Sequence, residues 1–413
     1  MDSDTDGAGE TGEAGETGDP DPGSATTINP TDAGGSESGM PDDDGAPDDG
    51  NDDPEPDSDT DDDDGDTGEP VDGEAGMVFT LSNPDGPNSV VAFVRDPEGA
   101  LWELGDYATG GMGSGGPLGS QGSIGHHGEH LYVVNPGDGT VSSLRIYDDH
   151  LGLEDIQASG GARPTSLAVN GEHLYVLNAE GAGGVVGFEI DDGTMSPIAG
   201  ASQPLSGAEM PAPAQVAITP AGDYVVVTER ATNQIVTYAV HEDGSLDAPV
   251  VNPASGVTPF GFAFRNDGVL IVTEAFGGGM NPGASAASSH RVADGGGLWT
   301  FEGSVPSGQT AACWVSLADN YAYTSNTGSN TISAYHVEEE GDLTLFANGG
   351  VVADLGDDHG PIDMAVGGAS EYLYVLNRDA DVILGFSIDE GGTLTELEGA
   401  HAVPAAAAGM LGY

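Results

Sequence analysis

The chain contains no lysine, and arginine supplies all seven of its cations against 70 aspartates and glutamates, a formal net charge of −63 over 413 residues. A field of that sign repels DNA, RNA and anionic membrane surfaces, which bind through lysine and arginine patches, so nucleic-acid partners are excluded. The charge suits a protein kept soluble in salt, as a halophilic source would require, because screening shortens the repulsion to a few Å. A secreted acidic protein is the other explanation. The single cysteine, Cys313, excludes an intrachain disulfide and leaves the redox compartment unread. It sits in the apolar run AACWVSL, where a buried, inert thiol is expected. No apolar stretch approaches the ~18 residues of a membrane span. The N-terminus as written lacks a basic segment followed by an apolar one, so no signal peptide is expected there. Helical periodicity of useful length is missing too. Metal-ligand spacing of His, Cys and Asp, a Gly-rich phosphate loop and a serine-nucleophile motif are absent, so neither metal nor cofactor is expected.

Residues 1–76 hold 28 acids, no cation and no aromatic residue. Such a segment cannot bury enough apolar surface to offset ordering entropy and reads as a disordered, low-complexity acidic tail. Asp2-Ser3-Asp4-Thr5-Asp6-Gly7 followed by Glu13 copies calcium-loop spacing. Flanking helices are lacking, and Gly9 stands where an apolar anchor belongs. Weak, diffuse divalent-cation binding is therefore expected, not a specific site. The Glu-Thr-Gly repetition at 10–18 resembles the spacer that follows a lipoprotein signal in some bacterial surface proteins, which favours an extracellular or cell-surface location over a cytoplasmic one.

What is abundant, in residues 77–413, is a repeat. GEHLYVVN at 128–135, GEHLYVLN at 171–178 and SEYLYVLN at 370–377 are its clearest copies. Each unit reads as four short strands. The second strand ends at a polar marker: Asn83, Asn135, Asn178, Glu229, Glu274, Asn326 and Asn377. The intervals run from 43 to 52 residues, the length of a propeller blade. A third strand carries a large residue 9 or 10 positions later: Phe93, Leu144, Phe188, Tyr238, Tyr335 and Phe386. In the fifth unit this residue is His290, displaced by a Gly/Ala/Ser-rich loop at 275–287. Fourth strands are expected near Leu101, Leu153, Met195, Leu246, Leu298, Leu343 and Leu394. First strands open on Pro164, Pro213, Pro259 and Pro361, where proline costs no ladder hydrogen bond. Seven four-stranded antiparallel sheets arranged radially make an all-β, seven-bladed β-propeller. The domain begins with a second strand and ends with an orphan first strand at 404–413, so the C-terminus is expected to complete the first blade. A monomer is expected.

In a propeller, the ends of second strands meet the starts of first strands on one face, around the central channel. That face gathers the polar markers with Thr165/Ser166, Ala214/Gln215, Phe260/Gly261, Ile362/Asp363, Cys313/Trp314 and Gly122/Ser123, and places Arg163, Arg230 and Arg378 beside them. The loop 275–287 is a candidate lid over the same mouth. Glu229 and Glu274 are neighbouring carboxylates that can serve acid–base chemistry. Arg230 can neutralise Glu229 or hold an anionic substrate. Arg163, Ser166, Gln215, Trp314, Asp363, Asn178, Asn326 and Asn377 are candidate substrate-binding residues. The competing reading has the Asn and Glu markers bracing loop backbone and Trp314 packing the channel. His126 and His127 fall on the opposite face as loop residues. His359 and His401 precede first strands, without visible partners.

The stretches PAQVAITPAGDYVVVTERATNQIVTYAVHEDGSL, TPFGFAF, GVLIVTEA and NYAYTSNTGSNTISAYHVEEEGDL resemble the seven-bladed lactonase family, which includes propeller-type 6-phosphogluconolactonases and carboxymuconate cyclases. The resemblance covers essentially all of 77–413. It implies hydrolysis of a sugar lactone or related cyclic ester, with an acidic residue closing a second strand, a position that Glu229 and Glu274 match. The family's Pro-Arg-His run does not carry over, because here those positions read Ala214-Gln215, Phe260-Gly261 and Ile362-Asp363. The departure removes a bidentate anchor and a near-neutral base. Two functions therefore stand: a lactonase-like hydrolase in which Glu229 or Glu274 activates water and Arg230 or Arg163 stabilises the oxyanion, or a non-catalytic propeller that binds a carbohydrate, peptide or protein.

Overall fold

The computed structural model describes residues 76–413. The acidic tail and its calcium-loop spacing lie outside the described residues. Seven antiparallel sheets are present. The innermost strands of blades 2 to 7 are Ile124–His127, Pro164–Asn170, Pro213–Ile218, Pro259–Phe264, Ala312–Ala318 and Pro361–Gly367. Blade 1 takes its innermost strand, Ala408–Gly412, from the C-terminus and its second strand, Gly76–Leu81, from the start of the described chain. The seal is double at its outer end: Met77 N–H donates to Tyr413 O and Tyr413 N–H to Met77 O, both at 2.8 Å. Within it, Thr80 Oγ1 donates to Gly409 O at 2.7 Å.

The second strands read as unbroken apolar runs because both of their faces are covered by neighbouring blades. His130–Asn135 is buried at every position. Outer strands such as Leu394–Ala402 are mostly exposed, because they form the rim of the ring. The repeated tyrosine has a definite job. Tyr175, Tyr323 and Tyr374 are fully buried and donate their phenol O–H to Gly244 O, Gly392 O and Gly99 O, each in the hairpin of the next blade. Glycine is required at 99 and 392: φ is +87° and +75°, and a Cβ would run into the rings of Tyr372 and Tyr321, two residues before each bonded tyrosine. The third-strand column is buried throughout, and two members clasp the blade behind: Tyr238 Oη donates to Pro204 O at 2.9 Å, Tyr335 Oη to Val305 O at 3.1 Å.

Three expectations shift. In blade 4 the fourth strand is Val250–Pro253, with only a single bridge from Val240 to Leu246, because Pro249 lacks the N–H that would continue the ladder. In blade 6 the outer edge splits into Leu343–Leu345 and Val351–Asp354, both paired to Thr331–Val337, around a turn with Gly349 and Gly350 at positive φ. His401, although it precedes the closing strand in the chain, lies within the outermost strand of blade 7, edge-on to Phe93 and not in the connection itself.

Candidate functional site

The channel is not open at the expected face. The connection from blade 1 to blade 2, residues 113–122, carries five glycines and enters the channel instead of passing over the rim. It leaves blade 1 on the marker Asn83, whose Oδ1 accepts from Ser114 N–H at 2.8 Å and whose Nδ2 donates to Gly116 O at 2.7 Å. Leu118 and Ser120 are then buried. Ser120 Oγ donates to Thr165 O at 2.7 Å, and Gln121 N–H to Ala214 O at 3.0 Å. The Gln121 amide spans to blade 6, where Nε2 donates to Val315 O at 2.7 Å and Oε1 accepts from Val315 N–H at 3.1 Å. Sequence reading misses this plug. Its signals are the glycine density and the lack of a proline opening the innermost strand of blade 2.

Around the plug, predicted ligand residues stitch innermost strands together. Ser166 Oγ accepts from Val216 N–H at 3.1 Å. Gln215 clamps Phe262, taking its N–H at 2.6 Å and giving to its C=O at 2.8 Å. Asp363 is buried and accepts from Met364 N–H at 2.9 Å; burial pushes its carboxyl up to about 8, against the pull of the Met364 and Met410 N–H groups. Trp314 donates from Nε1 to Ser120 O at 2.9 Å and packs on Phe260 with ring centroids 4.9 Å apart.

The polar markers are buried. Asn178 exchanges hydrogen bonds with Ser159; Asn326 donates to Thr331 Oγ1 and Ser333 Oγ; Asn377 donates to Val375 O. Glu229 accepts from Ser206 N–H at 2.8 Å and from the hydroxyls of Ser206 and Thr232 at 2.6 Å. Glu274 accepts from Ser288 Oγ at 2.7 Å and from Ser304 Oγ. Burial raises its carboxyl while Ser304, Ser288 and the Gly256 N–H oppose the rise. Among the described residues these two carboxylates share no hydrogen-bond partner. The Glu274 network continues to His290, whose Nε2 lies 3.0 Å from Ser288 Oγ and Nδ1 3.0 Å from Thr300 Oγ1. Since Ser288 gives its proton to Glu274, a neutral ring protonated on Nε2 satisfies every member. Burial holds that ring neutral, with its pKa down at about 4.

The arginines behave differently. Arg145, Arg265, Arg291 and Arg378 each lie within 4 Å of a carboxylate. Arg163 and Arg230 make no ion pair among the described residues. Arg163 is exposed and donates to Pro117 O at 3.3 Å; Arg230 is half-buried, donates from Nε to Ala212 O at 3.1 Å and stacks 5.0 Å from the Phe260 ring. Burial lowers the Arg230 pKa and the Arg163 charge lowers it further, although Cys313 opposes both. Cys313, partly exposed as a residue, has its thiol pushed up to about 12 by burial, against Arg230 and Arg378. The mouth is thus a cationic surface over a plugged channel, with Phe260 and Trp314 buried beneath it. The loop 275–287 is tied to it: Ala275 N–H bonds Thr258 O, and Ser285 N–H bonds Gln309 O. His126 lies elsewhere, edge-on to Tyr413 at 5.2 Å. His359 precedes blade 7 as expected, with a buried Nδ1 lacking a partner. Among the described residues, no group of three or more His, Cys, Asp or Glu is arranged to hold a metal, and no helix is long and apolar enough to cross a membrane.

Residues 170–275 and 295–408, more than half of the chain, match the family model described as "Lactonase, 7-bladed beta-propeller". Comparison with the curated proteins finds no match. Among solved structures, a proposed 6-phosphogluconolactonase from Bacteroides fragilis is similar at 22% identity and a TM-score of 0.63, covering 82% of this chain and 98% of the other. A periplasmic gluconolactonase from Pseudomonas aeruginosa is similar at 16% identity and 0.64, covering 82% and 99%. A protein from Lactobacillus plantarum matches at 17% and 0.66, covering 83% and 99%. At such identities the likeness is one of fold.

Proposed function

The chain belongs to the lactonase family of seven-bladed β-propellers, and from that premise we propose that it binds a sugar lactone or related cyclic ester at the channel mouth and opens it by hydrolysis. The observation that carries the reading is the Arg163–Arg230 pair. In 77–413, acids outnumber arginines 42 to 7, yet these two guanidiniums stand at one mouth with no acid partner among the described residues. A carbonyl oxygen gaining charge as water adds is stabilised by a positioned cation, and Arg230, stacked on Phe260, supplies one. Arg163 is free to take an acidic substituent of the substrate.

Water activation falls to Glu229 or Glu274, and both are fully buried. Glu229 would first have to release Ser206 or Thr232. That burial favours a second reading, in which the mouth binds a carbohydrate, peptide or protein without hydrolysing anything. The acidic tail accords with display at the cell surface in either case. A panel of aldonolactones in a pH-stat separates the two. Hydrolysis above background in wild type, lowered about tenfold or more in kcat/KM by Arg230→Ala and further by Glu229→Gln, supports the enzyme. Background rates in wild type and in Arg230→Ala, Glu229→Gln and Glu274→Gln leave only the binding reading.

A further inference from the structure

Two arginines at the mouth and the buried Trp314 beneath them are held by one short run of backbone. Pro117 O accepts from Arg163 Nη2 at 3.3 Å, and Ser120 O accepts from Trp314 Nε1 at 2.9 Å. Between them Gly119 lies against Arg230: a Cβ added there would stand 3.3 Å from Nη1 and 3.6 Å from Nη2. Its φ of +65° is one that side chains resist. This run is built into the ring. Ser120 is bonded to blade 3, Gln121 to blades 4 and 6, and Leu167 N–H donates to Gly122 O at 2.7 Å. A segment bonded to three blades, with Leu118 in the core, is a fixed surface and not a flap.

We propose that residues 117–121 are the specificity-determining floor of the mouth, setting the spacing of Arg163 and Arg230 above the buried Trp314 ring so that the two guanidiniums grip one oxyanion group, carboxylate or phosphate, of a small ligand. The inference rests on the reading that the mouth binds a ligand. The floor residues are positioning residues: two backbone carbonyls aim Arg163 and Trp314, and the bare Cα of Gly119 leaves room for the Arg230 guanidinium over the Phe260 ring. Planar cations bind oxyanions through paired N–H groups, so a small displacement of either guanidinium is felt as lost affinity.

Full-length protein carrying Trp102→Phe and Trp299→Phe keeps Trp314 as its one tryptophan. Its emission is followed during titration with sodium phosphate in one arm and D-gluconate in the other, at low and high KCl. Saturable change that weakens with salt is expected, and the tighter arm tells which oxyanion the mouth prefers. Gly119→Ala is expected to raise Kd about tenfold with an unchanged far-ultraviolet dichroism spectrum. Pro117→Gly, which is exposed and adds no clash, is expected to raise it about threefold and serves if Gly119→Ala does not fold. Unchanged affinity in the folded variants would overturn the floor while leaving the mouth intact. Tighter binding would overturn it too, by making the segment a self-occluding strap. If wild type answers neither anion and hydrolyses no lactone, the ligand mouth itself fails, and this inference with it.

Discussion

Gln121 and Val315, 194 residues apart, exchange two hydrogen bonds across the channel, Nε2 to C=O at 2.7 Å and N–H to Oε1 at 3.1 Å. One blade earlier the same clamp is made by a neighbour: Gln215 grips the N–H and C=O of Phe262. The residue placed to do this for Val315 is Gly261, and a Cβ there would stand 2.1 Å from Gln121 Oε1. The plug therefore supplies from afar the side chain that blade 5 lacks.

Removal of that side chain should be costly and reparable. Gln121→Ala leaves a buried N–H and C=O on Val315 unpaired, for a loss of about 3 kcal/mol. Gly261→Gln in the same background restores the clamp from the adjacent blade and should recover part of the loss. Denaturant unfolding of wild type, single and double variant measures it; a double variant no more stable than the single one contradicts the equivalence of Gln121 and Gln215.

Deletion of residues 404–413 removes the innermost strand of blade 1 and the three hydrogen bonds that Met77 and Thr80 make to it. Ring closure over this length costs roughly 5 kcal/mol in chain entropy, because the cost grows only logarithmically. The sealed edges on both sides exceed it. A large drop in thermal midpoint is expected, with blades 1, 2 and 7 exposed; an unchanged melt would show that the closing strand is dispensable.

Acid should loosen blade 5 first. His290 titrates near 4 in the fold and near 6.5 when unfolded. The unfolded chain therefore binds the proton more readily, and the stability of the neutral ring, complete above pH 6.5, is lost as pH falls toward 4. The full span is about 3 kcal/mol. His290→Phe, the residue found at Phe93, Phe188 and Phe386, should flatten the stability profile between pH 6.5 and 4. A variant with the wild-type slope would place the acid sensitivity elsewhere.

Asp363 works in the opposite direction. Its folded pKa of about 8 lies above the ordinary 3.8, so the fold holds a proton that the unfolded chain releases. Stability is greatest at low pH with respect to this group and declines as pH rises from 3.8 through 8. Asp363→Asn, which keeps an acceptor for Met364 N–H and cannot ionise, should be more stable than wild type at pH 8 and no more stable at pH 4. Parallel profiles across that range would contradict a protonated Asp363 in the native state.

Much of this molecule was present in its sequence. Runs such as GEHLYVLN, spaced by 43 to 52 residues, specify strands buried on both faces, and seven of them specify the ring, because apolar periodicity and turn chemistry are local properties. The orphan strand at the C-terminus likewise announced blade 1, although the outer strands of blades 4 and 6 did not, since an edge strand has one partner and tolerates interruption. The site was legible only as a face. Nothing local says that Glu229 is capped by Ser206, that Arg163 and Arg230 meet no acid among the described residues, or that a glycine-rich connection turns inward. Those facts depend on which of the acceptors, donors and empty volumes contributed by distant blades coincide in space. Gly261 and Gln121 show the reason plainly: an absent side chain and a side chain 140 positions away are complementary only once the ring has closed.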